Sequence, residues 1–93
     1  MSKRLSESEI EAALRKLEGW RREGKAIKRS LKFGSFKGAI DFINRIARHA
    51  DEADHHPEIF NVYDNVDLVL TTHDADGLTG KDFDLAEKID GEV

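Results

Sequence analysis

Apolar positions along the chain change their period four times, and each change marks an element. Ser6-Glu7-Ser8-Glu9 has the form of a capping box, a hydroxyl at the helix start and a carboxylate three residues on. Ile10, Ala13, Leu14 and Leu17 follow at helical spacing, and Gly19 is a natural stop, which predicts a first helix from Ser6 to about Glu18. Ile27, Leu31 and Phe33 then alternate with Lys28, Ser30 and Lys32, the pattern of a half-buried strand. Trp20 to Glu23 is its expected partner, turning at Gly24.

Ser35 is placed to cap a second helix running to about Ala53. Phe36, Ala39, Ile40, Ile43, Ala47 and Ala50 form its apolar stripe, widened by Phe42 and Ile46. Pro57, the single proline, pushes the residue before it toward extended geometry, so the chain leaves the helix near Asp54 to His56. Ile59 to Tyr63 and Val66 to His73 read as two strands with a tight turn at Asp64-Asn65. In the second of these Val66, Leu68, Leu70 and Thr72 share one face. Asp74 to Gly77 is a loop. Thr79 to Asp82 is another helix start with Asp82 in the carboxylate role, Leu85, Ala86 and Ile89 form the stripe, and Gly91 ends it. Helix, two strands, helix, two strands, helix predicts one α+β domain over residues 1–93, with a helix layer on one face of a four-stranded sheet. Met1 to Leu5 are expected to fray.

Composition sharpens this picture. The chain has 93 residues, room for one core, yet charged residues reach 37% against a usual ~25%. A lean core with this much charge suggests that subunits share part of it. The net charge of −4 gives no overall basic field of the kind nucleic-acid modules show. Basic residues gather toward the start and acidic ones from Asp51 onward, a polarity between two ends. The absence of cysteine removes disulfides, thiolate catalysis and zinc ribbons. No secretory signal and no membrane-spanning stretch is visible, which leads to the expectation of a cytosolic protein.

Candidate chemistry rests on histidine. His55-His56-Pro57 follows the second helix and His73 ends the last strand, so all three stand at element ends, where imidazoles serve as general acids and bases. The structural alternative is a histidine that caps a helix end. His49, His55, His56 and His73 with Asp51 and Asp54 are metal-ligand types, but neighbouring histidines usually point apart and no HExxH spacing occurs, so no metal is expected. Asp74-Ala75-Asp76-Gly77 lacks the further ligands of a calcium loop. Asp82 has a purely structural reading as a helix cap, and Trp20 one as a core residue.

His55-His56-Pro57-Glu58, Phe60-Asn61-Val62-Tyr63, Thr72-His73, Gly77-Leu78-Thr79 and Asp82 with Leu85-Ala86 form a combination that resembles the pterin-4a-carbinolamine dehydratase family. Gly19-Trp20, Ile27, Arg29, Phe33, Phe36, Ala39, Phe42 and Ala47 extend the resemblance over essentially the whole chain. It departs at Ile59, where many members carry Trp, and at Lys81, where animal members carry Arg. The resemblance implies a four-stranded antiparallel sheet with three helices on one face and a homodimer or homotetramer. It implies loss of water from a 4a-hydroxytetrahydropterin to give the quinonoid dihydropterin, in support of aromatic amino-acid hydroxylases, with no metal or other cofactor. By the same resemblance His55, His56 and His73 are the active-site histidines, and Asp51 and Asp82 orient them. Pro57, Thr72, His73, Asp74 and Ala75 line the pterin together with His55 and His56, and Trp20 walls the pocket. It also implies an alternative: a non-enzymatic dimerisation or assembly cofactor that binds a protein partner.

Overall fold

The computed structural model describes residues 3–93. The elements are α1 (Glu7–Leu14), β1 (Arg21–Glu23), β2 (Ala26–Lys32), α2 (Phe36–Ala53), β3 (Glu58–Val62), β4 (Asn65–Leu70), a single 3-10 turn (His73–Ala75) and α3 (Gly80–Asp90). The four strands form one antiparallel sheet in the order β1-β2-β4-β3, as expected for the α+β class. β1 and β3 are its edges.

The inward face of the sheet follows the alternation. Val66, Leu68 and Leu70 of β4 are fully buried and Thr72 nearly so, with Ile27 beside them on β2. α2 lays Ala39, Phe42, Ile46 and Ala50 on this face, and α3 adds Leu85, Ala86 and Ile89. Phe42 stacks at a tilt on Phe33, their ring centres 4.7 Å apart. The predicted α2 stripe is therefore rotated. Residues expected to widen it, Phe42 and Ile46, are the core, whereas Phe36 and Ala47 are exposed and Ile40 and Ile43 half-buried. These four form a second apolar strip along the flank of the helix, with Ile43 at its border packed against the core.

Other expectations moved at the element ends. α1 stops at Leu14 rather than near Glu18. There the chain tightens, with Lys16 N donating to Ala13 O and Leu17 N to Leu14 O, which swings Leu17 into the core. Gly19 follows with φ +83, and a side chain there would start 3.0 Å from the Arg29 guanidinium. The β3–β4 turn falls on Tyr63-Asp64, one residue before the expected Asp64-Asn65. Asp64 is held by the β2–α2 connection: Phe33 N donates to its carbonyl and Gly34 N to its carboxylate. β4 ends at Leu70 instead of reaching His73, because Thr72 pairs with Gly77 and the chain folds into the 3-10 turn. Met1 and Ser2 lie outside the described residues, but Leu5 is not frayed. Its amide donates to Leu78 O at 2.8 Å and its side chain packs on the core.

Candidate active site

The C-terminal end of α2, the end of β4 and the start of α3 meet at one buried carboxylate. α2 closes with Asp54 in the left-handed region (φ 48), and His55 N donates to Ala50 O. That turn sends the His55 ring toward α3, where its Nε2 lies 2.6 Å from Oδ1 of Asp82. Asp82 is fully buried. Its other oxygen, Oδ2, accepts from the Thr72 hydroxyl at 2.8 Å and from the Thr79 backbone N–H at 2.9 Å. The last bond is the capping box read from Thr79 and Asp82, so the cap and the histidine partner are the same residue. Thr79 itself is fully buried, and its hydroxyl stands 2.9 Å from that of Thr72.

His56 points elsewhere. Its Nε2 lies 3.0 Å from Asp51 Oδ1, one turn back on α2, and both side chains are mostly exposed. Pro57 is half-buried and leads into β3. His73 opens the 3-10 turn and is exposed, with Asp74 exposed and Ala75 half-buried behind it. Lys25, Ala26, Thr71, Thr72, His73, Asp76 and Gly77 line a cavity of about 240 Å³. The Lys25–Asp76 ion pair bounds it, and the hydrogen bond from Lys25 holds the Asp76 carboxyl below the usual carboxylate range. A larger recess of about 540 Å³ beyond that pair, against the start of α1, contains none of the histidines.

The structure thus brings His55, Asp82 and Thr72 together, adds His73 as the next residue along the chain, and keeps the His56–Asp51 pair beside them at the end of α2. The one-residue shift of the turn moves each β4 partner by two positions relative to a hairpin turning at Asp64-Asn65. The observed register pairs Glu58 with Val69 and, continued, sets His55 against Thr72. Trp20 does not join them. Its indole N–H donates to Asp90 at 2.8 Å, and Arg29 binds the same carboxylate. Asp90 lies eight residues along α3 from Asp82, about 12 Å at 1.5 Å per residue. Thr79 was read from the sequence only as a helix start; its part in holding Asp82 follows from the fold around Thr72. Among the described residues no group of three or more His, Cys, Asp or Glu side chains stands in position to hold a metal ion.

The site can therefore exchange protons and orient imidazoles. The family model described as pterin 4 alpha carbinolamine dehydratase matches residues 3–92. A relative from Roseiflexus, named provisionally as a pterin-4-alpha-carbinolamine dehydratase, is 50% identical over 90 residues, covering 97% of each chain. One from Novosphingobium aromaticivorans with the same provisional name is 48% identical over 89 residues, 94% of this chain and 93% of its own. The crystal structure of a transcriptional coactivator/pterin dehydratase from Brucella melitensis superposes with a TM-score of 0.93 at 43% identity, covering 97% of this chain and 98% of that one. A pterin dehydratase-like protein described as a RuBisCO assembly factor shares the fold alone, with a TM-score of 0.70 at 23% identity over 81% of this chain and 89% of its own. With a match over nearly its full length and relatives at about half identity, the chain belongs to the pterin-4-alpha-carbinolamine dehydratase family.

Proposed function

We propose that this protein dehydrates a 4a-hydroxytetrahydropterin in the cytoplasm, with histidines as the acid and base. The C4a–O bond breaks as the hydroxyl is protonated and leaves as water. The proton on ring nitrogen N5 is removed, and its electron pair closes the C4a=N5 double bond of the quinonoid dihydropterin. No electron enters or leaves, so the step calls for proton donors and acceptors and for no metal, flavin or nicotinamide. Each well-placed acid or base contributes roughly 10²–10⁴-fold.

The observation that carries this reading is the His55–Asp82 pair: a histidine at an element end, held at 2.6 Å by a fully buried carboxylate, with His73 beyond the adjacent Thr72. His55, His56 and His73 exchange the protons. Asp82 orients His55 and Asp51 orients His56. Pro57, the Thr72 backbone, Asp74 and Ala75 line the pterin, whose amide edge suits the open backbone groups of the 3-10 turn. The physiological setting is the recycling of tetrahydropterin spent by aromatic amino-acid hydroxylases. The decisive experiment follows synthetic 4a-hydroxytetrahydropterin in the ultraviolet. Catalysed loss of water well above the spontaneous rate supports the reading, and a rate equal to the spontaneous one overturns it.

A homo-oligomer is the proposed working form. The edge strand β3 exposes Phe60 and Val62 to 64% and 54%, the turn after it exposes Tyr63 to 63%, and α2 carries the outer strip of Phe36, Ile40, Ile43 and Ala47. Apolar edges and helix strips of this kind are covered by other subunits in stable proteins. The same surfaces favour a second role as a dimerisation or assembly cofactor, tested by whether a folded triple-histidine variant retains a protein partner.

A further inference from the structure

A chain of hydroxyl groups behind His55 has one direction open to it. The Thr72 hydroxyl donates its single proton to Asp82 Oδ2, since an ionised carboxylate only accepts. The 2.9 Å contact between the Thr72 and Thr79 hydroxyls must then be made by the Thr79 proton, pointing at the Thr72 oxygen. The Thr79 oxygen is oriented in turn by the backbone N–H of Lys81 at 3.3 Å. Asp82 Oδ2 receives Thr72 and the Thr79 N–H, which leaves Oδ1 for His55. The ring nitrogen facing an accepting carboxylate carries the hydrogen. The other nitrogen, Nδ1, has no hydrogen-bond partner among the described residues. Among the described residues no buried polar side-chain atom lacks one, so Nδ1 reaches solvent.

We propose that Asp82 fixes His55 as the Nε2–H tautomer and makes Nδ1 the atom that exchanges the substrate's proton, and that Thr79 is a positioning residue, which through Thr72 holds the Asp82 carboxylate at the angle the ring needs. Thr79 is fully buried and cannot touch a ligand, so any effect it has on the site passes through its neighbours. Without its proton the Thr72 hydroxyl gains other rotamers and Asp82 is held part of the time by one donor fewer; the ring keeps its tautomer, because the carboxylate still only accepts, but loses its fixed orientation. The identity of the proton's destination rests on the dehydratase reading; the tautomer does not.

The test reads the ¹⁵N shifts of the His55 ring in the assembled protein, at a pH where the ring is neutral, beside the rate of dehydration. The wild type should show Nε2 protonated and Nδ1 bare. Thr79→Val should keep the tautomer, broaden and shift the Nε2–H resonance as the hold of Asp82 on the ring loosens, and lower kcat roughly five-fold, one neutral hydrogen bond's worth, with KM unchanged. Thr79→Ser should restore both. Asp82→Asn, which can keep the cap through its amide oxygen and present N–H to His55, should invert the tautomer. If Thr79→Val does not fold, Thr72→Val removes the middle hydroxyl and is read in the same way. A wild-type ring protonated at Nδ1 overturns the proposal, as does a Thr79→Val protein whose Nε2–H resonance and kcat are those of the wild type. A wild type with no dehydratase activity overturns the function, while the ring shifts still judge the tautomer.

Discussion

His55 Nε2 and Asp82 Oδ1 lie 2.6 Å apart across 27 residues of sequence, so one hydrogen bond joins the end of α2 to the start of α3. Asp82 also caps α3 and accepts from Thr72, which makes it a joint between three elements. Asp82→Ala should therefore cost both stability and activity. Loss of the cap and of buried hydrogen bonds is expected to lower unfolding free energy by about 2–4 kcal/mol, measured by urea denaturation. The catalysed rate should fall roughly 10²-fold, since a loosened imidazole forfeits its acid–base contribution. An Asp82→Ala protein as stable as the wild type would contradict the joint.

His73 is the opposite case. It is exposed at the start of the 3-10 turn, and no hydrogen bond from its ring is found among the described residues. His73→Ala should leave the denaturation midpoint nearly unchanged while lowering the catalysed rate by roughly 10²-fold or more. Full activity in the folded variant would remove His73 from the acid–base set.

The sequence revealed the elements and much of this cluster, and hid what depends on contacts between distant segments. Periodicity placed Val66, Leu68, Leu70 and Thr72 on one face, and all four are buried there. The capping boxes at Ser6 and Thr79 are local in sequence and both formed. The β3–β4 turn was misplaced by one residue because Asp64 is claimed by Phe33 and Gly34, thirty residues away, and the positive φ falls on Tyr63. That single step moves each partner by two residues, so the continued register sets Thr72 rather than Asp74 opposite His55. The α2 stripe offered two apolar faces, and only the sheet beneath decided which one became core. Trp20, read as a core residue and by the family resemblance as a pocket wall, is bound to Asp90, a partner 70 residues on that no spacing rule could supply.

Arg29, Asp90 and Trp20 form a second polar knot at the far end of α3. The Asp90 carboxylate accepts from both the Arg29 guanidinium and the Trp20 indole, and Arg29 also reaches Glu18 O. Side-chain exposures of 18% and 25% make this a mostly buried pair. Asp90→Ala leaves a guanidinium and an indole N–H unpaired, and should destabilise by about 2–3 kcal/mol, a little under the value for a fully buried pair. The fluorescence of Trp20, the only tryptophan, should shift in the native state. Because Asp90 is two turns from Asp82, kcat in the folded fraction should stay within about two-fold of wild type.

Acid should loosen the end of the chain. Glu92 is held below the ordinary glutamate range, chiefly by its hydrogen bond to His49 and further by Arg48 and Arg45. A carboxylate whose folded value is depressed stabilises the fold above its unfolded value of about 4.3 and loses that stabilisation as pH falls through the lower folded value. Glu7, bound by Arg22, and Asp76, bound by Lys25, are depressed in the same direction. Stability measured by urea should be flat from neutral pH down to about 5 and then decline. In Glu92→Gln the decline should be shallower. An unchanged acid slope would mean that the His49–Glu92 contact does not persist in solution.

Oligomerisation should depend on side chains that contribute little to the monomer's own core. Phe60 is 64% exposed on β3 and Phe36 is 53% exposed on α2, so neither is required for the single subunit to fold. Light scattering of the wild type at micromolar concentration should give a multiple of 10.5 kDa. Phe60→Glu puts a charge at the sheet edge and Phe36→Glu puts one on the outer strip of α2, where burial against another subunit would desolvate it. Each should lower the mass while leaving the circular dichroism of the subunit intact. If only one of the two acts, that surface alone is the interface. If the double variant keeps the wild-type mass, or the wild type itself scatters as 10.5 kDa, neither surface joins subunits and the exposed apolar residues await a different partner.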